Sequence, residues 1–133
     1  MRKIKKGAAL AMVSAAALAG SVAISNPAMA ASSPIAACGG GSYRVISSTD
    51  LGAATVYLMW NGTYNCAVTW KDQPNSKFVA VDIQNDAGAS DEDSGNYSTY
   101  AGPVKVYGKG RCIMYQGAYG NASGGSVEWG HCG

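Results

Sequence analysis

Four cysteines carry the strongest chemical signal in this chain: Cys38, Cys66, Cys112 and Cys132. Thiols spaced so widely in a short chain either bind a metal or pair as disulfides. Metal binding wants close Cys/Cys or Cys/His pairs. No CxxC occurs, and His131 is the sole histidine. Two disulfides are therefore expected. Connectivity does not follow from spacing. Cys66 and Cys112 lie in apolar, strand-like runs, whereas Cys38 and Cys132 lie near the ends in Gly-rich surroundings. Pairing core with core and end with end gives Cys66–Cys112 and Cys38–Cys132 as the working expectation.

Other chemistry is thinly provided for. His131 stands one residue before Cys132 and two from the C-terminus, a frayed place for a general base. No G-x-S-x-G elbow offers a serine for it. Asp91 and Asp93 are too close in one segment to flank a glycosidic bond. Asp82 and Glu128 could meet across strands, but nothing in the sequence makes them. No catalytic residue is assigned, and the chain reads as a non-enzyme. The segment Asn85–Tyr100 (NDAGASDEDSGNYSTY) carries Asp86, Asp91, Glu92 and Asp93. It reads as a long acidic loop. Its carboxylates could suit Ca²⁺, but the EF-hand spacing is absent and a solvated charge run is the plainer reading. No metal or cofactor is assigned.

The aromatic residues are the remaining resource. Three tryptophans, eight tyrosines and one phenylalanine are present. Trp60 and Trp70 read as half-buried sheet residues. Tyr97, Tyr100, Tyr107 and Tyr115 crowd the last third and are the candidate binding residues, because tyrosine gives an apolar body with a polar tip. The sequons at Asn61, Asn96 and Asn121 read as coincidental.

The elements that must position these residues are strands. Val, Ile, Thr, Tyr and Trp recur in short runs between turn residues, and no run sustains a helical period. Expected strands are Tyr43–Ser47, Ala54–Trp60, Asn65–Trp70, Lys77–Gln84, Val104–Tyr107, Arg111–Gln116 and Ser126–Trp129. Asn61-Gly62 marks a hairpin, and Gly108-Lys109-Gly110 a second. In Lys77–Gln84, Val79, Val81 and Ile83 share one face. An all-β, disulfide-stapled sandwich or small barrel follows.

The N-terminus sets the compartment. MRKIKK is basic, Gly7–Ile24 is apolar and small, and Ala28-Met29-Ala30 offers a peptidase site. Residues 1–30 are expected to be a cleaved secretory leader, Ala31–Ala37 a flexible arm, and residues 38–133 a single β domain. The full chain has a formal charge of +2 from ten basic and eight acidic residues. Arg2, Lys3, Lys5 and Lys6 would leave with the leader, so the mature chain keeps six against eight, or −2. No basic cluster remains for nucleic acid. No stretch beyond the leader is apolar enough for a membrane span.

Several runs together resemble a known family. They are Cys38-Gly39 with YRVISS, then ATVYL, NCAVTW, and SGNYSTYAGPVKVYGKGRC ending at Cys112. Tyr97-x-x-Tyr100-Ala101-Gly102-Pro103-Val104 is their most specific part. The chain resembles the spore-associated protein A family of streptomycetes and related actinobacteria. That resemblance implies a secreted, non-enzymatic protein of the spore or cell surface, with cell-wall or spore-surface components as partners. It brings no catalytic residues. The other reading is a secreted binding module for carbohydrate, peptide or protease, using Asn85–Tyr100.

Overall fold

Strand propensity, turn glycines and two disulfides shape the chain. The computed structural model describes residues 31–133, so the expected leader lies outside the described residues. After a short helix α1 (Pro34–Ala37) come eight strands: β1 (Arg44–Asp50), β2 (Ala54–Trp60), β3 (Tyr64–Lys71), β4 (Val79–Asn85), β5 (Ser90–Gly95), β6 (Tyr100–Tyr107), β7 (Ile113–Tyr119) and β8 (Ala122–Gly130). They form two antiparallel four-stranded sheets. Sheet 1 has the order β1-β2-β3-β6 and sheet 2 the order β5-β4-β7-β8. The expected all-β fold is therefore a sandwich. Ser33–Gly133 is one compact unit.

The main core lies between the sheets. Val56 and Leu58 of β2, Val79, Val81 and Ile83 of β4, Val104 and Val106 of β6, and Ile113 and Tyr115 of β7 meet there. The period-2 alternation expected of β4 is thus realised. Gly117 lets the sheets approach, since a Cβ there would collide with Thr69 and Val56. The buried Thr69 hydroxyl donates to the Ala80 carbonyl at 2.8 Å, joining sheet 1 to sheet 2.

Turn chemistry places the strands. In the β2–β3 hairpin, Asn61 Oδ1 accepts from the Thr63 and Tyr64 amides, and Gly62 takes a φ of 98°. Asn85 does the same for β4–β5, accepting from Ala87 and Ala89. The expected hairpin at Gly108–Gly110 is not one. β6 belongs to sheet 1 and β7 to sheet 2, so this segment crosses between sheets. Two-residue turn logic reads local sequence and cannot see that the next strand changes sheet.

Sheet 1 has a second, smaller core on its outer face. Cys38, Tyr43, Met59, Cys66 and Val68 pack there, with Ala37, Tyr57, Trp70 and Tyr100 at its margin. The expected flexible arm is partly ordered to cover it. Ser33 Oγ accepts from the Ala36 amide as an N-cap, Pro34 opens the helical turn, and Cys38 ends it. Three successive glycines, Gly39–Gly41, then turn the chain with φ between 59° and 116°.

The disulfide map corrects the expected pairing. The bridges are Cys38–Cys66 and Cys112–Cys132. Cys66 projects from the outer face of β3, whereas Cys112 precedes β7 in the other sheet. The hydrophobic neighbours of Cys66 come from the second core, not the main one. Apolar context alone could not separate two cores. Cys132 instead ties the C-terminal segment back to the crossing segment, where Gly110 and Arg111 also bond with Gly133.

Candidate functional site

Alternation on β3 is the origin of the site. Ala67 and Thr69 point into the main core, so Tyr64, Cys66, Val68 and Trp70 must point outward. On β6 the outward set is Tyr100, Lys105 and Tyr107. Register then brings Tyr64 opposite Tyr107, Cys66 opposite Lys105, and Trp70 opposite Tyr100. Tyr57 of β2 stands beside Val68 on the same face. Aromatic residues from three adjacent strands therefore share the outer face of sheet 1, flanking the segment that the Cys38–Cys66 bridge holds down.

The two ends of this face differ. Trp70 and Tyr100 are stacked, with ring centroids 4.7 Å apart and planes within 4°. Tyr64 and Tyr107 meet edge to face at 5.8 Å, and both remain exposed. Between them Lys105 Nζ stands 5.3 Å from the centre of the Tyr43 ring. Burial raises the Tyr43 hydroxyl's pKa, with a further contribution from Tyr64, so that phenol stays protonated. The face thus offers ring surface, phenolic hydroxyls and one cation, the groups suited to holding a polar polymer by weak contacts.

The seam where β6 meets β5 re-reads the acidic segment. Asn85–Tyr100 is not a long loop, because Ser90–Gly95 forms edge strand β5. Asp91 and Asp93 lie opposite Ile83 and Val81, on the inward side of sheet 2. From there Asp91 Oδ2 accepts from the Lys105 amide at 3.1 Å and Asp93 Oδ2 from the Gly102 amide at 2.8 Å. Side-chain carboxylates replace a partner strand along the edge of β6. Inward-pointing charges of this kind also keep an edge from pairing with other chains. Asp93 further accepts from the Tyr97 hydroxyl at 2.7 Å. Burial, and then Asp93, push that phenol up to about 12. Among the described residues, no group of three or more His, Cys, Asp or Glu is placed to hold a metal ion.

Lys71 organises the adjacent loops. Its ammonium is buried and donates to Asn75 O, Asn75 Oδ1, Lys77 O and the Tyr97 carbonyl. A buried cation requires such a set of acceptors. The turn after β3 and the segment before β6 are thereby fastened to one atom.

The four candidate tyrosines separate on this geometry. Tyr100 and Tyr107 lie on the aromatic face. Tyr97 lies at the seam, engaged by Asp93. Tyr115 is removed from the set: it is 2% exposed, in the main core, and its hydroxyl meets Ser47 Oγ at 2.7 Å. Alternation in β7 buries it with Ile113, a pattern the expected strand Arg111–Gln116 already contained. Tyr64 was missed, although it alternates with Cys66, Val68 and Trp70. His131 is exposed beside the Cys112–Cys132 bridge, with its ring edge towards Tyr115. Asp82 faces Glu92 of β5, not Glu128.

Comparison with known proteins supports the resemblance read from the sequence. No family model matches the chain. No solved structure matches it. It is 37% identical over 89 residues to spore-associated protein A of Streptomyces coelicolor, an alignment covering 63% of this chain and 57% of that protein. The chain thus spans little more than half the length of that curated relative. The chain is similar to spore-associated protein A along that alignment.

Proposed function

We propose that this protein is a secreted, non-catalytic component of the spore or cell surface, held there through the aromatic outer face of sheet 1. The relative's name, spore-associated protein A, supports the setting. The leader-like N-terminus and the two disulfides support export, since such bridges persist in oxidising compartments. The observation that carries the attachment site is the alignment of Tyr57, Tyr64, Trp70, Tyr100 and Tyr107 with Lys105 on one face. Cell-wall or spore-surface components are the partners this reading names. All four cysteines are bridged, which leaves no thiol nucleophile among the described residues. The binding loop expected at Asn85–Tyr100 is not carried forward, because its central carboxylates are turned onto β6.

Fractionation tests the proposal. The native protein is expected in the spore or wall fraction of a producing culture. Tyr107→Ser combined with Lys105→Glu should release it to the medium while circular dichroism stays unchanged. Retention of a folded double variant would defeat the assigned face. His131→Ala should leave retention intact.

A further inference from the structure

Eight tyrosines are present, and the structure sorts them by what their rings and hydroxyls already do. Tyr115 and Tyr119 are buried, with hydroxyls bonded to Ser47 and Asn75. Tyr97 donates to Asp93. Tyr100 is stacked on Trp70, and Tyr43 lies buried beneath Lys105. Tyr57 packs against the second core. Tyr64 and Tyr107 differ from all of these. They are 45% and 46% exposed, face each other across β3 and β6, and hold their rings 5.8 Å apart. Among the described residues they are the one tyrosine–tyrosine ring contact.

Two exposed phenols at this separation suit radical coupling. A one-electron oxidant removes an electron and the phenolic proton from each, leaving neutral radicals with spin density on the carbons ortho to oxygen. Both rings are nearly half exposed and already in edge-to-face contact, so coupling requires only that they turn about their side-chain torsions until an ortho carbon of one meets an ortho carbon of the other. A carbon–carbon bond forms. Each ring then regains aromaticity as its ortho hydrogen moves to oxygen. The pair loses two hydrogen atoms in all, and a peroxide serving as terminal oxidant through a haem peroxidase is reduced to two waters. Backbone register holds the partners together before oxidation, which makes the intramolecular reaction faster than coupling between molecules.

We infer that Tyr64 and Tyr107 form an oxidative cross-linking site, at which a peroxide-driven peroxidase joins β3 to β6 by a dityrosine bond. This inference does not rest on the surface-attachment reading. Its product would be a third covalent staple, on the sheet that already carries the Cys38–Cys66 bridge.

The test treats the dilute, disulfide-intact protein with hydrogen peroxide and a haem peroxidase. Dityrosine fluorescence should appear in the monomer, with a mass lower by two hydrogens and a cross-linked peptide joining Tyr64 to Tyr107. Tyr64→Phe and Tyr107→Phe should each abolish the monomer signal, and Tyr97→Phe should retain it. Circular dichroism confirms that the variants fold. Failure to form dityrosine, coupling only between molecules, cross-links mapping elsewhere, or survival of the signal in the Tyr64→Phe and Tyr107→Phe variants would each overturn the inference.

Discussion

The outer faces of the two sheets were built from the same alternating pattern and ended differently. Sheet 1 covers much of its outer face with Cys38 and Tyr43, packing them onto Met59, Cys66 and Val68. Sheet 2 leaves its outer face open, with Ala80, Asp82 and Gln84 on β4 beside Met114, Gln116 and Ala118 on β7. There Asp82 lies opposite Glu92, two like charges on neighbouring strands. Burial first, and then Glu92, raise the Asp82 carboxyl above its ordinary range. A sandwich needs only one buried face per sheet. The second covered face on sheet 1 is therefore an addition, and the aromatic residues around it are what it exposes at its margins.

The disulfides give the largest test of this contrast. They close loops of similar size, with sequence separations of 28 and 20. Loop entropy alone separates them by only about 0.3 kcal/mol. Burial must decide. Both Cys38 and Cys66 are buried, whereas Cys132 is exposed. Cys66→Ser is expected to cost about 2–5 kcal/mol, towards the upper end because the second core loosens with it. Cys132→Ser should lie at the lower end. Urea unfolding of both variants measures the difference, and equal costs would dissolve the distinction between the faces.

The seam comes next in size. Asp93→Ala removes an acceptor from the Gly102 amide and from the Tyr97 hydroxyl. Hydrogen bonds to a charged group contribute about 1.5–3 kcal/mol each, and solvent access places the expected loss near the low end of that range. Hydrogen exchange at Gly102 should quicken in the same variant. Unchanged protection there would mean that β6 holds its edge without the carboxylate.

Substitutions on the two faces should differ by less. Tyr100→Ala loses the stack on Trp70, worth about 0.5–1.5 kcal/mol beyond area burial. Gln116→Ala, on the open face, should stay within about 0.5 kcal/mol of the native protein. If the two cost the same, the stack adds nothing to sheet 1.

Acidity sharpens the comparison last. Because the folded state raises the Asp82 pKa, its contribution is fully present below the ordinary carboxylate range and is lost as pH rises through the raised value. Asp82→Asn should thus stabilise the protein at neutral pH and have little effect in acid. Denaturant midpoints at the two pH values test this, and a pH-independent effect would show that Glu92 and burial are not the cause.

Much of sheet 2 was legible before the structure. Val79, Val81 and Ile83 of β4 alternate cleanly, and in sheet 1 Asn61-Gly62 announces the β2–β3 hairpin. Local pattern sufficed because each signal lies within a few residues. The candidate site was only half legible. Tyr100 and Tyr107 were on the right face, but Tyr115 points to the core and Tyr64 was overlooked. A tyrosine's period-2 position says which side it takes, and not which side is wet. The acidic segment misled for a related reason: Asp91 and Asp93 look solvated in sequence, yet they occupy inward positions opposite Ile83 and Val81.

The sequence by itself determined an all-β chain, two disulfides and the family resemblance, since composition, turn residues and cysteine count are local properties. Tertiary structure decided which cysteines pair, that Gly108–Gly110 crosses between sheets, that carboxylates finish the edge of β6, and that Tyr64 meets Tyr107. Each of these depends on strand order across two sheets, where residues far apart in the chain become neighbours through packing.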